Sequence, residues 1–188
     1  MDLILASHSP RRRELLHKFG INFKAVAVEV EEEKNGLPTA AAELNARRKA
    51  EAVSVQYPQS LTLGADTIVI LDGQILGKPS DGDCAVEMLS ALSGREHEVT
   101  TAVALARWGQ AMRVFSETTI VRFRALSHEE IKSYAATGEP LDKAGGYGIQ
   151  GFGGLLVESI QGCYYNVVGL PMPRLVVELR ALGIEIFH

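Results

Sequence analysis

The chain reads as a single α/β domain over residues 1–188, in one or two lobes, on three observations. Its 188 residues are 46% hydrophobic and 22% charged, which supplies a core large enough to fold unaided. Apolar runs of strand length alternate with segments of helical period from end to end. Neither an internal repeat, a low-complexity tract nor a linker-like stretch interrupts them.

Leu3-Ile4-Leu5-Ala6 predicts a buried strand, and Ser9-Pro10 supplies a cap and a favoured first residue for a helix that Gly20 stops. Ile21 to Val30 alternates enough to predict a second strand, ending at Glu31-Glu32-Glu33. Gly36-Leu37-Pro38-Thr39 introduces a helix to about Val55. Thr62 to Leu71 is a strand, turned back by Asp72-Gly73 into Gln74-Ile75-Leu76. Asp83 to Leu92 has a helical face of Ala85, Met88, Leu89 and Leu92. Val99–Trp108 and Val114–Phe123 predict two long strands joined by a turn around Gly109. Ser127 and Glu130 have capping-box spacing for the next helix, which ends at Thr137-Gly138. Gly145 to Gly154 is too rich in glycine for a regular element and predicts a loop that approaches something closely. Leu155 to Ile160 is a strand, and Gly169-Leu170-Pro171 opens a last helix with Leu175, Val176, Leu179 and Leu182 on its apolar face.

Composition excludes several functions. With 19 Lys+Arg against 23 Asp+Glu and a net charge of −4, no global basic field exists to hold nucleic acid, so any anion site must be local. Cys84 and Cys163 lack zinc-site spacing and read as ordinary thiols. Met1 to Ala6 lacks the basic region and length of a signal peptide, and no window approaches the roughly 18 apolar residues of a membrane span. A soluble cytoplasmic protein is expected.

A few residues stand where physical chemistry demands a reason. Arg11, Arg12 and Arg13 fill the first turn of the first helix, where the helix dipole makes each cation cost about 0.3–1 kcal/mol. A bound polyphosphate reverses that sign, gripped by backbone N–H groups and guanidinium forks together; a solvated basic turn is the plain alternative. Asp66 lies within an apolar strand, where an ionised carboxylate calls for a metal, a lysine or hydrogen bonds, and a satisfied structural carboxylate is the competing reading. Lys78 is fixed between Gly77 and Pro79. Gly73 to Pro79 is not a Walker A loop, having one spacer too few and Pro where Ser or Thr must bind Mg²⁺.

Gly146 to Gly151 formally matches GxGxxG but lacks the strand before it and the acid about 20 residues after it. What remains is a loop carrying Gln150 and Tyr147, flanked by Asp142 and Lys143; it either reads a base or merely turns. Glu31 to Glu33 is a solvated acidic loop or a place where Mg²⁺ gathers with phosphates. At least one of Arg47, Arg48 and Lys49 faces solvent, because three successive helical residues span about 200°. The five histidines form no ligand spacing, and no GxSxG elbow is present.

The run Leu5-Ala6-Ser7-His8-Ser9-Pro10-Arg11-Arg12-Arg13-Glu14-Leu15-Leu16 resembles the opening signature of the Maf nucleotide pyrophosphatases. Gly64-Ala65-Asp66-Thr67, Leu76-Gly77-Lys78-Pro79, Met88 through His97, Gly138 through Gly145, Tyr147 through Gly151 and Asn166 through Pro171 look like further family blocks in family order. Arg11, Ala65-Asp66-Thr67 and Ile149-Gln150-Gly151 resemble the dTTP/UTP subgroup rather than the one acting on methylated GTP. Gly146 in place of Ala, and Asn45 at the head of Asn-Ala-Arg-Arg-Lys where Leu-Ala-x-x-Lys is the pattern, depart from the family at positions expected to lie outside the chemistry.

The resemblance implies an elongated mixed β-sheet flanked by helices, two lobes around a nucleotide cleft (Maf/Ham1-like), and a homodimer. It implies hydrolysis of dTTP or UTP to the monophosphate and pyrophosphate, with a Mg²⁺ or Mn²⁺ cofactor. Asp66 is then the proton acceptor and Lys78 a catalytic cation. Ser9, Arg12, Arg13, Lys49, Thr67 and Gln150 are the substrate-binding set, and Glu31 and Asp66 hold the metal. A uracil-type base offers N3–H and O4, which one Gln150 amide can match by accepting and donating. The rival from another class is a non-catalytic nucleotide-binding regulator of cell division; a kinase is disfavoured by the failed Walker motif.

Overall fold

The computed structural model describes residues 2–33, 36–108 and 113–186; the expected turn at Gly109 lies outside them. Seven strands, β1 (Leu3–Ala6), β2 (Lys24–Val26), β3 (Leu61–Leu71), β4 (Gln74–Leu76), β5 (Glu96–Ala106), β6 (Arg113–Phe123) and β7 (Val157–Gln161), form a mixed open sheet. Their order is β2-β1-β3-β5-β6-β7, with β4 paired to β3. Among the described residues six helices flank it: α1 (Pro10–Lys18), α2 (Pro38–Ser54), α3 (Gly82–Leu92), α4 (His128–Ala135), α5 (Tyr164–Val168) and α6 (Met172–Ala181). Among the described residues no helix is long and apolar enough to cross a membrane.

The chain divides into two compact units, one of residues 1–66, 101–117 and 169–188, the other of 67–100 and 118–168. In the first unit β1 pairs in parallel with both β2 and β3, in the register Ala6↔Val26 and Ala6↔Gly64. Buried on both faces, β1 has no alternation to show and reads as a continuous apolar run. The expected strand Ile21–Val30 shrinks to Lys24–Val26, because β2 is an edge strand paired, among the described residues, with the four-residue β1. Helix α2 lies on β3 through small residues: Ala41, Ala42, Ala46 and Ala50 are buried, and Gly64 faces them. A Cβ at Gly64 would stand 2.3 Å from the Ala46 carbonyl oxygen and 2.6 Å from the Ala50 nitrogen, so only glycine permits this approach.

The second unit has its own core of Val69, Leu89, Leu92, Val99, Phe123, Ile131, Tyr147 and Leu156 with their neighbours. The Asp72-Gly73 turn joins β3 to β4 in the expected register, Leu71↔Gln74. Asp81 caps α3 by accepting from the Cys84 N–H, and the capping box of α4 is complete at Ser127 and Glu130. The glycine-rich stretch folds as short 3₁₀ turns, Ala144–Gly146 and Phe152–Leu156, on either side of Tyr147–Gly151. Cys84 and Cys163 are half-buried, as expected.

Candidate active site

In the first unit, the carboxyl end of β1 and the stretch of β3 just beyond it carry groups that the sequence singles out. Ligands of open α/β sheets gather at such strand ends. Beyond β1 the chain turns at Ser7, whose N–H donates to the carbonyls of Leu5 and Val26, and enters α1 at Pro10. Ser9 is the N-cap of α1 but makes no side-chain capping bond, and the first turn contains no acid. Arg12 is buried there; its Nε donates to the Gly169 carbonyl at 3.0 Å and its Nη1 to Ser7 Oγ at 3.2 Å. Burial pushes the Arg12 pKa down and Asp66 pulls it back up. Arg13 is exposed, with Nη2 donating to the His8 carbonyl at 2.8 Å. The triplet thus divides, one guanidinium packed inward and one at the surface.

Asp66 follows β3 past the level of Ala6 and is 8% exposed. Lys49 donates to its Oδ1 at 2.6 Å and Asn45 to its Oδ2 at 3.1 Å, both from α2. The close packing at Gly64 sets this up, since it brings the helix near enough for two side chains one turn apart to end on one carboxylate. The lysine demanded by a carboxylate in an apolar strand is therefore present. Lys49 Nζ also donates to Glu32 Oε1 at 2.7 Å. Arg47 points outward to Glu51, and Arg48 donates to the Glu31 carbonyl at 2.7 Å.

Asn45 corrects an expectation. Rather than lying outside the chemistry, it is 3% exposed and joins Asp66 to the acidic loop, with Oδ1 accepting from the Glu33 N–H at 2.7 Å and Nδ2 donating to the Glu33 carbonyl at 3.0 Å. Its only sequence signal is the break with the family pattern, polar where leucine is usual. Glu32 was legible only as one of three adjacent acids; its partner Lys49 is 17 residues away.

The donor set fits a hard divalent cation in part. Asp66 and Glu32 each place an oxygen within 2.7 Å of the same ammonium, so two carboxylates already converge there. Among the described residues no group of three or more His, Cys, Asp or Glu could hold a metal. A cation here must complete its shell with phosphate and water, which is the habit of Mg²⁺. Glu31 presents an exposed side chain and meets α2 through its carbonyl.

Thr67, Lys78 and Gln150 belong to the second unit. Thr67 is half-buried, and Lys78 and Gln150 are exposed. Lys78 adjoins the glycine-rich loop: the Gly145 N–H donates to the Gly77 carbonyl at 2.9 Å, and Gly146 faces Pro79. Tyr147, read from sequence as a second candidate for meeting a base, is instead a core residue, 5% exposed, with its hydroxyl 2.6 Å from His97 Nε2. It packs edge-on against Phe123 and His97. Gln150 is left as the loop's candidate base reader.

Comparison with known proteins agrees with this architecture. The chain is 54% identical to a dTTP/UTP pyrophosphatase of Symbiobacterium thermophilum, over 99% of this chain and 96% of that protein. Proteins of the same name from Syntrophomonas wolfei and Carboxydothermus hydrogenoformans are 52% and 50% identical, over 98% and 97% of this chain and 99% and 100% of theirs. A family described as Maf-like protein matches residues 2–182. With that match spanning nearly the whole length, and relatives at half identity over their full extent, the chain belongs to the Maf-like protein family.

Proposed function

We propose that the chain is a nucleoside triphosphate pyrophosphatase that cleaves dTTP and UTP between the α and β phosphates, releasing the monophosphate and pyrophosphate. The observation that carries this reading is Asp66: a buried carboxylate between Lys49 and Asn45, just beyond the end of β1, with the charge of the buried Arg12 coupled to its own. Relatives at about half identity bear the name of that activity.

Arg12 binds phosphate with its guanidinium held by Ser7 and Gly169, and the acid-free first turn of α1 offers N–H groups beside it. Ser9 and Arg13 flank the same turn. Lys49 turns from Asp66 Oδ1 toward the polyphosphate, and the freed oxygen takes a proton from water attacking the α phosphorus. Asn45 keeps Oδ2 in place during that transfer. Lys78 meets negative charge growing on the departing pyrophosphate. A divalent cation, Mg²⁺ or Mn²⁺, held by Asp66 with Glu31 or Glu32, supplies further neutralisation of phosphate charge when bound. Gln150 accepts from N3–H and donates to O4 of the base, with Thr67 assisting selection. The resemblance alone supports a cytoplasmic homodimer and one functional domain over 1–188.

Asp66→Asn tests the assignment, because it keeps the shape and removes the base. Turnover of UTP is expected to fall about 10²–10⁴-fold, the range spanned by positioned acid–base groups. Near-normal turnover in the folded variant sinks it.

A further inference from the structure

Gln150 stands on a segment with little regular structure of its own, yet base reading requires its amide to be held to within a fraction of an ångström. Six of the seven residues from Gly148 to Gly154 bury no side chain: Gly148, Gly151, Gly153 and Gly154 have none, and Gln150 and Phe152 are exposed. Something else must fix this backbone. At its near end Tyr147 is locked in the core by His97. At its far end the Glu139 side chain bonds two of its N–H groups.

Glu139 meets the loop with both carboxylate oxygens. Oε2 accepts from the Phe152 N–H at 3.0 Å, and Oε1 accepts from the Gly153 N–H at 3.1 Å and from the Tyr134 hydroxyl at 3.0 Å. A Cβ at Gly151 would lie 2.6 Å from either oxygen, so the residue next to Gln150 rests directly on the carboxylate. The backbone of Glu139 holds the other end: its carbonyl accepts from Lys143 Nζ at 2.6 Å, and the Lys143 stem fills the space against Gly148, 2.6 Å from where a Cβ would stand. One residue therefore braces both sides of Gln150. Burial, reinforced by Glu139, pushes the Tyr134 pKa up, so its hydroxyl stays a donor.

We infer that Glu139 is a positioning residue for nucleobase selection, shaping the Gly148–Gly153 backbone so that Gln150 presents one fixed face to the base. The inference rests on the reading of Gln150 as the base contact. A carboxylate suits the task because it has only acceptors to offer the two N–H groups and the hydroxyl. An amide in its place turns one acceptor into a donor aimed at a donor.

The test compares kcat and KM for UTP and CTP in wild type, Glu139→Gln and Gln150→Ala, with native-state amide exchange at Phe152 and Gly153. Glu139→Gln is expected to raise KM for UTP about tenfold with a smaller fall in kcat, to lower the UTP:CTP ratio of kcat/KM about tenfold, and to speed exchange at both amides. Glu139→Asp, which keeps the charge on a shorter stem, is expected to fall between the two and serves alone if Glu139→Gln does not fold. An unchanged ratio in the Glu139 variants, with a changed one in Gln150→Ala, overturns the positioning role and leaves the base reading intact. An unchanged ratio in Gln150→Ala overturns the base reading itself.

Discussion

Asn45 stands one helical turn before Lys49, and both side chains end on the Asp66 carboxylate. The two contacts do different work. Lys49 supplies charge and is shared with Glu32, while Asn45 supplies direction, tying Asp66 to the backbone of Glu33 with three bonds. Asn45→Leu restores the residue type usual in the family and removes all three. Both backbone groups of Glu33 and one oxygen of Asp66 then lose their partner, a loss of about 1–3 kcal/mol for a buried group left unsatisfied. Urea unfolding is expected to register that cost, and turnover of UTP to fall about tenfold as the carboxylate loses its orientation. Unchanged turnover in a destabilised variant would leave Asn45 a purely structural residue.

At the scale of elements, the site depends on how closely α2 approaches β3. Gly64→Ala adds one methyl group where 2.3 Å separates it from a carbonyl oxygen, so the helix must move and carry Asn45 and Lys49 with it. Thermal unfolding is expected to show a loss of about 1–3 kcal/mol, the usual cost of overpacking. Activity should fall beyond what the stability loss explains, because Gly64 and Asp66 lie on the same face of β3 and the displaced helix carries both partners of the carboxylate. Elements with strong local signals were legible in the sequence: the apolar run of β1, the Asp72-Gly73 turn into β4, and the capping box of α4. β2 was not, because its length is set by the partner strand rather than by its own alternation. The five-residue α5 is too short to display a helical period. In the site, Asp66 and Arg12 were legible because each is costly where it stands. Asn45 and Glu32 were not, because only the fold brings them to a partner 17 to 21 residues away.

At the scale of the molecule, the second unit buries a histidine that shapes its response to acid. His97 is 3% exposed, bonds Tyr147 through Nε2, and has no partner for Nδ1 among the described residues. Burial lowers its pKa from the ordinary 6.5 to about 4. Above pH 6.5 the ring is neutral in both the folded and the unfolded chain, and its contribution is constant. As pH falls from 6.5 toward 4 the unfolded chain takes up a proton that the folded one refuses, so stability is lost across that window, by up to about 3 kcal/mol. His97→Phe is expected to flatten that part of the profile in urea unfolding between pH 4 and 7, whatever it does to stability at pH 7. An equal slope in the variant would assign the acid sensitivity to other groups.

The reaction itself belongs to the same scale. A panel of UTP, dTTP, CTP, ATP and GTP incubated with the purified protein and Mg²⁺ or Mn²⁺, with pyrophosphate and single phosphate assayed separately, tests it most directly. Pyrophosphate and the monophosphate released in equal amounts, fastest from UTP and dTTP and nearly abolished in Asp66→Asn, is the predicted result. Single phosphate as the product, or tight nucleotide binding with no turnover of any member of the panel, would contradict it.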